Sequence, residues 1–160
     1  MVAIEFGDIY FVNSLLQNPE INLLVEDNNK ENLIYKAIKR QNDISVIELI
    51  NYLIDNNVPI KKLENGMNVL IYAAYFCHFN LFEPLLNLVD DINAKDNFGS
   101  SAITWTLQSN LDIPDELRIE SIKTLVSLGA DVSDIKNIVN NIDEDEQSDE
   151  SSLISFVRSL

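Results

Sequence analysis

The chain has 160 residues, 46% of them hydrophobic and 23% charged, enough for one domain with a sizeable core and unlike a disordered chain. Its 26 acidic residues against 11 basic ones give a net charge of −15, which repels phosphate backbones and anionic lipid and excludes nucleic-acid and membrane-surface partners. One cysteine, Cys77, rules out an internal disulfide and a Cys-ligated zinc site, and an N-terminus without a basic segment or a long apolar run is not a signal peptide; a soluble, cytoplasmic protein is expected.

Apolar residues recur at helical spacing in chain order. Ile9, Val12, Leu15 and Leu16 form the first stripe, and Val46, Ile47, Ile50, Leu53 and Ile54 the second. Leu81, Phe82, Leu85 and Leu86 form the third, and Ile119, Ile122, Leu125 and Val126 the fourth. Each spans only a few turns and is followed by a polar break, so the pattern predicts short helices in a repeat rather than one large bundle. Four glycines and four prolines are too few for an all-β domain of tight turns.

Before the helices lie Asn32-Leu33-Ile34-Tyr35-Lys36-Ala37, Asn68-Val69-Leu70-Ile71-Tyr72-Ala73 and Ser101-Ala102-Ile103-Thr104-Trp105-Thr106, spaced by 36 and 33 residues. Between Gly66 and Asp96 the positions Gly66, Asn68, Leu70, Ala73-Ala74, His78, Leu85-Leu86 and Asp91-Ile92-Asn93 fall in one register. This pattern resembles the ankyrin repeat, with its period of about 33 residues and its T-P-L-H-x-A signature. The resemblance implies an all-α fold, an α-solenoid of stacked helix-turn-helix units joined by short hairpin loops. It covers residues 1–133 as a truncated first repeat (1–26) and three fuller ones at about 27–61, 62–94 and 95–133.

The repeats depart from the family's pattern. Asn32, Asn68 and Ser101 stand for its Thr, each able to cap a helix through a side-chain oxygen. Tyr35, Ile71 and Thr104 stand for its His, which puts the hydrogen bonds of that turn in question. Extra residues fall around Asp43-Ile44-Ser45 and Leu111–Glu116. Residues 134–160 read as C-terminal capping helices, 134–142 and Ser152–Val157, around an acidic linker at 143–150.

Catalytic chemistry is sparse. Cys77-His78 is the one nucleophile-like pair, but adjacent residues at a helix end diverge and no third orienting group is apparent. An EF-hand loop from Asp143 would have Ser148 and Ile154 where Gly and Glu are required. No phosphate-cradling glycine motif occurs. Asp112, Asp115 and Glu116 on the inserted loop are a remote carboxylate candidate without a positioned acid–base pair. No cofactor, metal or enzymatic activity is expected.

Surface for binding remains. By position, the resemblance implies a partner-binding concave face made by Glu31, Glu64, Asn65, Met67, Asn97 and Phe98 of the hairpin tips. Arg40, Tyr75, Phe76 and Gln108 add the exposed ends of the first helices. Exposed aromatics and Met with polar surroundings suit an interface hot spot, although aromatics at helical spacing also fill cores. Trp105 reads as core by the same rule. The implied partner is another protein, basic if the acidity steers association. The preferred reading is an immunity-like inhibitor of a cognate toxin, the alternative an effector or adaptor.

Overall fold

A computed structural model describes residues 3–4, 9–40, 45–141 and 151–160, with the side chains of residues 9, 10 and 13 excepted. The extra residues expected at Asp43-Ile44, the end of the 134–142 helix at Ile142 and the linker 143–150 lie outside that description. The helices are α1 (Ile9–Leu16), α2 (Leu33–Arg40), α3 (Ser45–Asp55), α4 (Val69–Tyr75), α5 (Phe82–Leu86), α6 (Ala102–Gln108), α7 (Asp115–Ser127), α8 (Ser133–Asn140) and α9 (Ser152–Ser159). Among the described residues the extended structure is limited to one isolated bridge, Glu26 with Asn32. The expected all-α solenoid is the fold observed.

Helix pairs α2–α3, α4–α5, α6–α7 and α8–α9 stack so that α2, α4, α6 and α8 touch in series. The helices α2 and α4 are therefore covered on both sides, and every residue of Leu33–Ile38 and of Val69–Ala74 is buried. Ala73 and Ala74 have no accessible surface; residues this small let successive layers approach closely. The second helices keep one wet face. In α5 that helix is short, introduced by a 3₁₀ turn at Phe79–Leu81, and Pro84 sits in its first turn, where a missing N–H breaks no intrahelical bond. Leu81, Phe82 and Leu85 are fully buried, each worth roughly 1.5–3 kcal/mol of transfer free energy.

Capping follows the expected residues at two of three sites. Asn32 Oδ1 accepts from Ile34 N at 3.0 Å, and Asn68 Oδ1 from Ile71 N at 2.9 Å. Ser101 does not cap α6: its hydroxyl lies 3.1 Å from the Thr104 hydroxyl instead, a nearer partner for a short side chain than the helix backbone. At the family's His position Tyr35 restores the lost bonds by another route, its hydroxyl reaching the carbonyls of Lys61 (2.6 Å) and Met67 (3.1 Å) in the next hairpin. Burial, with Glu31 nearby, pushes that hydroxyl far above its ordinary pKa, so it stays a donor.

The hairpins are built alike. In each, the first residue's N–H bonds the fifth residue's carbonyl and the fourth N–H returns to the first carbonyl: 27–31, 63–67 and, for the first of these bonds, 3.0 Å at 96–100 with 3.1 Å for its return. The fourth position has positive φ in all three, +63° at Lys30, +86° at Gly66 and +80° at Gly99. Adjacent hairpins are tied together by Asn97 N to Asn65 O and Asn97 Nδ2 to Glu64 O, both 2.9 Å.

Candidate functional site

The fifth residue of each first-helix segment, counted from Asn32, Asn68 and Ser101, carries a donor aimed at a hairpin carboxylate. Lys36 Nζ lies 2.7 Å from Asp27 and 2.6 Å from Glu31. Trp105 Nε1 donates to Asp96 Oδ2 at 2.7 Å. The middle hairpin has Leu63 where the others have Asp, so Tyr72 turns back and donates to Glu31 Oε1 at 2.7 Å. Burial works to raise the Asp27 carboxyl, but hydrogen bonds from Lys36 and from the Glu31 and Asn29 amides outweigh it and hold it below its usual value. For Lys36, burial works to lower its pKa, yet Asp27 and Glu31 outweigh it and hold the ammonium charged well above its usual range. These pairs fix the angle between hairpin and helix. That angle opens a groove.

The groove has a volume of about 890 Å³, bounded by the hairpins at Asn28-Asn29 and Glu64-Asn65 and by the C-terminal ends of α4 and α6. Three residues beyond Lys36, Tyr72 and Trp105, and so just under one helical turn on, Lys39, Tyr75 and Gln108 stand in a row along it. Its aromatic wall is continuous. Tyr72 meets Tyr35 at 5.0 Å and Phe76 at 5.2 Å, Phe76 meets Tyr75 at 5.1 Å, and Tyr75 meets Trp105 at 5.5 Å. All four contacts are edge-to-face, the arrangement that ring quadrupoles favour. The far wall is the inserted loop after α6: Asn110 and Leu111 line the groove, and Tyr75 OH donates to Asn110 Oδ1 at 2.6 Å.

Of the positions expected on the concave face, Glu31, Glu64, Asn65, Met67, Tyr75, Phe76 and Gln108 line this one groove. Glu31 and Met67 are buried in its floor, Glu31 because its oxygens are committed to Lys36 and Tyr72. Arg40 is not in the lining; its Nη1 donates to the Ile4 carbonyl at 3.2 Å. Asn97 is used between hairpins, and Phe98 stands outside the groove at the next tip, 73% exposed. Trp105, expected as core, is half-buried: it packs on the core and also lines the groove. The sequence did not point to Leu63, Tyr72, Asn110 or Leu111 as lining. Tyr72 was legible as the counterpart of Lys36 and Trp105; the loop residues follow no repeat.

The loop is held by Arg118 of α7. Its five N–H groups all go to backbone carbonyls: Nε to Ile113 (3.2 Å), Nη1 to Thr106 (2.9 Å) and Leu107 (3.4 Å), Nη2 to Ser109 (2.8 Å) and Leu111 (2.9 Å). Most of these are the open carbonyls at and beyond the end of α6, where a cation also suits the helix dipole.

Of the residues considered for chemistry, Cys77, His78 and Asp115 are employed in the structure. Cys77 is buried, its thiol is pushed up by that burial, and it takes a left-handed φ of +54° where the repeat pattern has Gly. His78 Nδ1 is 2.8 Å from the Ile38 carbonyl, to which the neutral ring donates. Asp115 Oδ2 accepts from Ser152 Oγ (3.1 Å) and Leu153 N (3.3 Å), at the start of α9, which packs on α7 and α8. Among the described residues no three His, Cys, Asp or Glu side chains are grouped to hold a metal, and no helix is long and apolar enough to cross a membrane.

The buried His78 is expected to make the fold less stable as pH falls. Burial lowers its folded pKa below the ordinary 6.5, so the unfolded chain binds a proton more readily. Its contribution is intact above pH 6.5 and is lost as pH falls through the depressed folded value. Urea midpoints measured from about pH 7.5 to about pH 5.5 should fall in the native chain relative to His78→Gln. A constant difference between the two would show that the imidazole titrates alike in both states.

A family model for ankyrin repeats, in three copies, matches residues 1–96. No curated protein matches the chain.

Proposed function

The chain belongs to the ankyrin-repeat family, and from that premise we propose that it holds another protein in the groove between hairpins and first helices, as an immunity-like inhibitor that covers a cognate toxin. Ankyrin repeats are protein-interaction modules. The observation that carries the choice of surface is the unbroken aromatic wall from Tyr72 to Trp105 with polar side chains on both sides, the make-up of an interface hot spot. The net charge of −15 supports a basic partner, drawn in by long-range attraction. In the same reading residues 134–160 close the end of the stack, which α9 supports by lying on α7 and α8.

The test begins with the neighbouring reading frame. Its product should co-purify with the chain and lose its own activity on binding. Tyr75→Ala is expected to weaken that complex by about tenfold or more, a hot-spot effect above 1 kcal/mol, while unfolding stays cooperative. Raising salt should slow association and leave dissociation nearly unchanged. A complex indifferent to Tyr75→Ala would remove the groove from the interface, and a product that binds but keeps its activity would make the chain an adaptor.

A further inference from the structure

The groove itself is not acidic. Its charged lining consists of Glu31, Lys39 and Glu64, and Glu31 is already paired with Lys36. With Glu31 neutralised, the lining keeps one charge of each sign, Lys39 and Glu64, so the chain's excess negative charge lies outside the groove and the lining as a whole selects neither sign of charge. What the lining offers instead is amides: Asn28, Asn29, Asn65, Gln108 and Asn110. Two of these spend their oxygens internally, Asn65 Oδ1 on Met67 N at 3.1 Å and Asn110 Oδ1 on the Tyr75 hydroxyl. Each keeps its NH₂ donors.

Resting on the binding function proposed above, we infer that the occupant of this groove is an extended, uncharged segment of the partner polypeptide, its backbone carbonyls accepting from Asn65 and Asn110 and its apolar side chains lying against Tyr75, Phe76 and Trp105. Backbone groups inside a helix or a sheet are already paired with each other, so a folded face has few carbonyls for a row of amide donors. An extended segment offers one at every residue. Flat aromatic rings accept its side chains at little entropic cost, because the edge-to-face contacts hold them in place. The loop at 109–114 closes the far side, and Arg118 fixes the loop through four carbonyls within or beside it. Charge thus governs approach, and neutral contacts govern what stays bound.

The experiment pans a library of random linear 12-residue peptides, displayed on phage, against the full chain. Expected are enriched peptides without charged residues at their shared positions. A synthetic copy should bind with a Kd that changes less than about threefold between low and high salt. Trp105→Ala and Asn110→Ala should each weaken it about tenfold, with Gln108→Ala as a milder variant that leaves the Tyr75–Asn110 bond in place. Basic peptides released by salt would overturn the inference, as would retention of neutral oligosaccharides in place of peptides. Failure to enrich any peptide, alongside a folded partner whose binding depends on Tyr75, would overturn the extended segment and leave the binding function standing. Loss of neither peptide nor partner on Tyr75→Ala and Trp105→Ala would overturn both.

Discussion

Gly66→Ala is expected to lower the free energy of unfolding by about 3 kcal/mol, combining left-handed backbone strain with overpacking. At φ +86° a β-carbon there would stand 2.5 Å from Asn97 Oδ1 and 2.7 Å from Asn97 N. The side-chain oxygen can move. The backbone nitrogen cannot, because it donates to Asn65 O and so joins two hairpins. Gly99 supplies the internal comparison, with φ +80° and nothing within 4 Å of its added carbon. Gly99→Ala should cost only the strain, about 1–2 kcal/mol. Urea unfolding of the two variants, at matched slope, measures the difference, which is the close approach between repeats. Equal losses would mean that the hairpins separate easily and that the groove's upper edge is soft.

Arg118→Met is expected to cost about 3–5 kcal/mol, because several backbone carbonyls lose a charged donor at once and each one left unpaired costs about 1–3 kcal/mol. Methionine fills a similar volume, so the loss measures hydrogen bonding and not a cavity. Five carbonyls would be left to find water or each other. Arg118→Lys should rescue little, since an ammonium has three donors on a point and cannot span carbonyls that fan out from residue 106 to residue 113. Amide exchange should quicken first in residues 109–114, before the helices loosen. Stability near that of the native chain with either variant would show that the loop holds itself. Because Asn110 and Leu111 form the groove's far wall, both variants should also weaken any ligand held there.

Much of the fold was legible in the sequence because a repeat constrains several positions together. The second-helix stripes, such as Val46–Ile54 and Ile119–Val126, have one wet face and so show helical period. The first helices do not: Val69–Ala74 is apolar throughout because both sides are covered, and only the register of Asn32, Asn68 and Ser101 placed it. Tyr75 and Phe76 were readable as a pair at the end of such a helix. Trp105 was not readable as groove lining, because a large apolar residue suggests core and nothing local reveals that its N–H is taken by Asp96.

The linear order of residues determined the helix-turn-helix period, two of the three side-chain caps, the acidity and the lack of an evident catalytic constellation, all properties of spacing and composition. Tertiary structure alone decided that Arg118 would gather five carbonyls from an irregular loop, that Glu31 would be consumed by Lys36 and Tyr72, and that the groove would be neutral within an acidic protein. Those outcomes depend on which distant groups meet once the layers stack. Hydrogen bonding and charge pairing act over a few ångströms, and no periodicity records the partners they find.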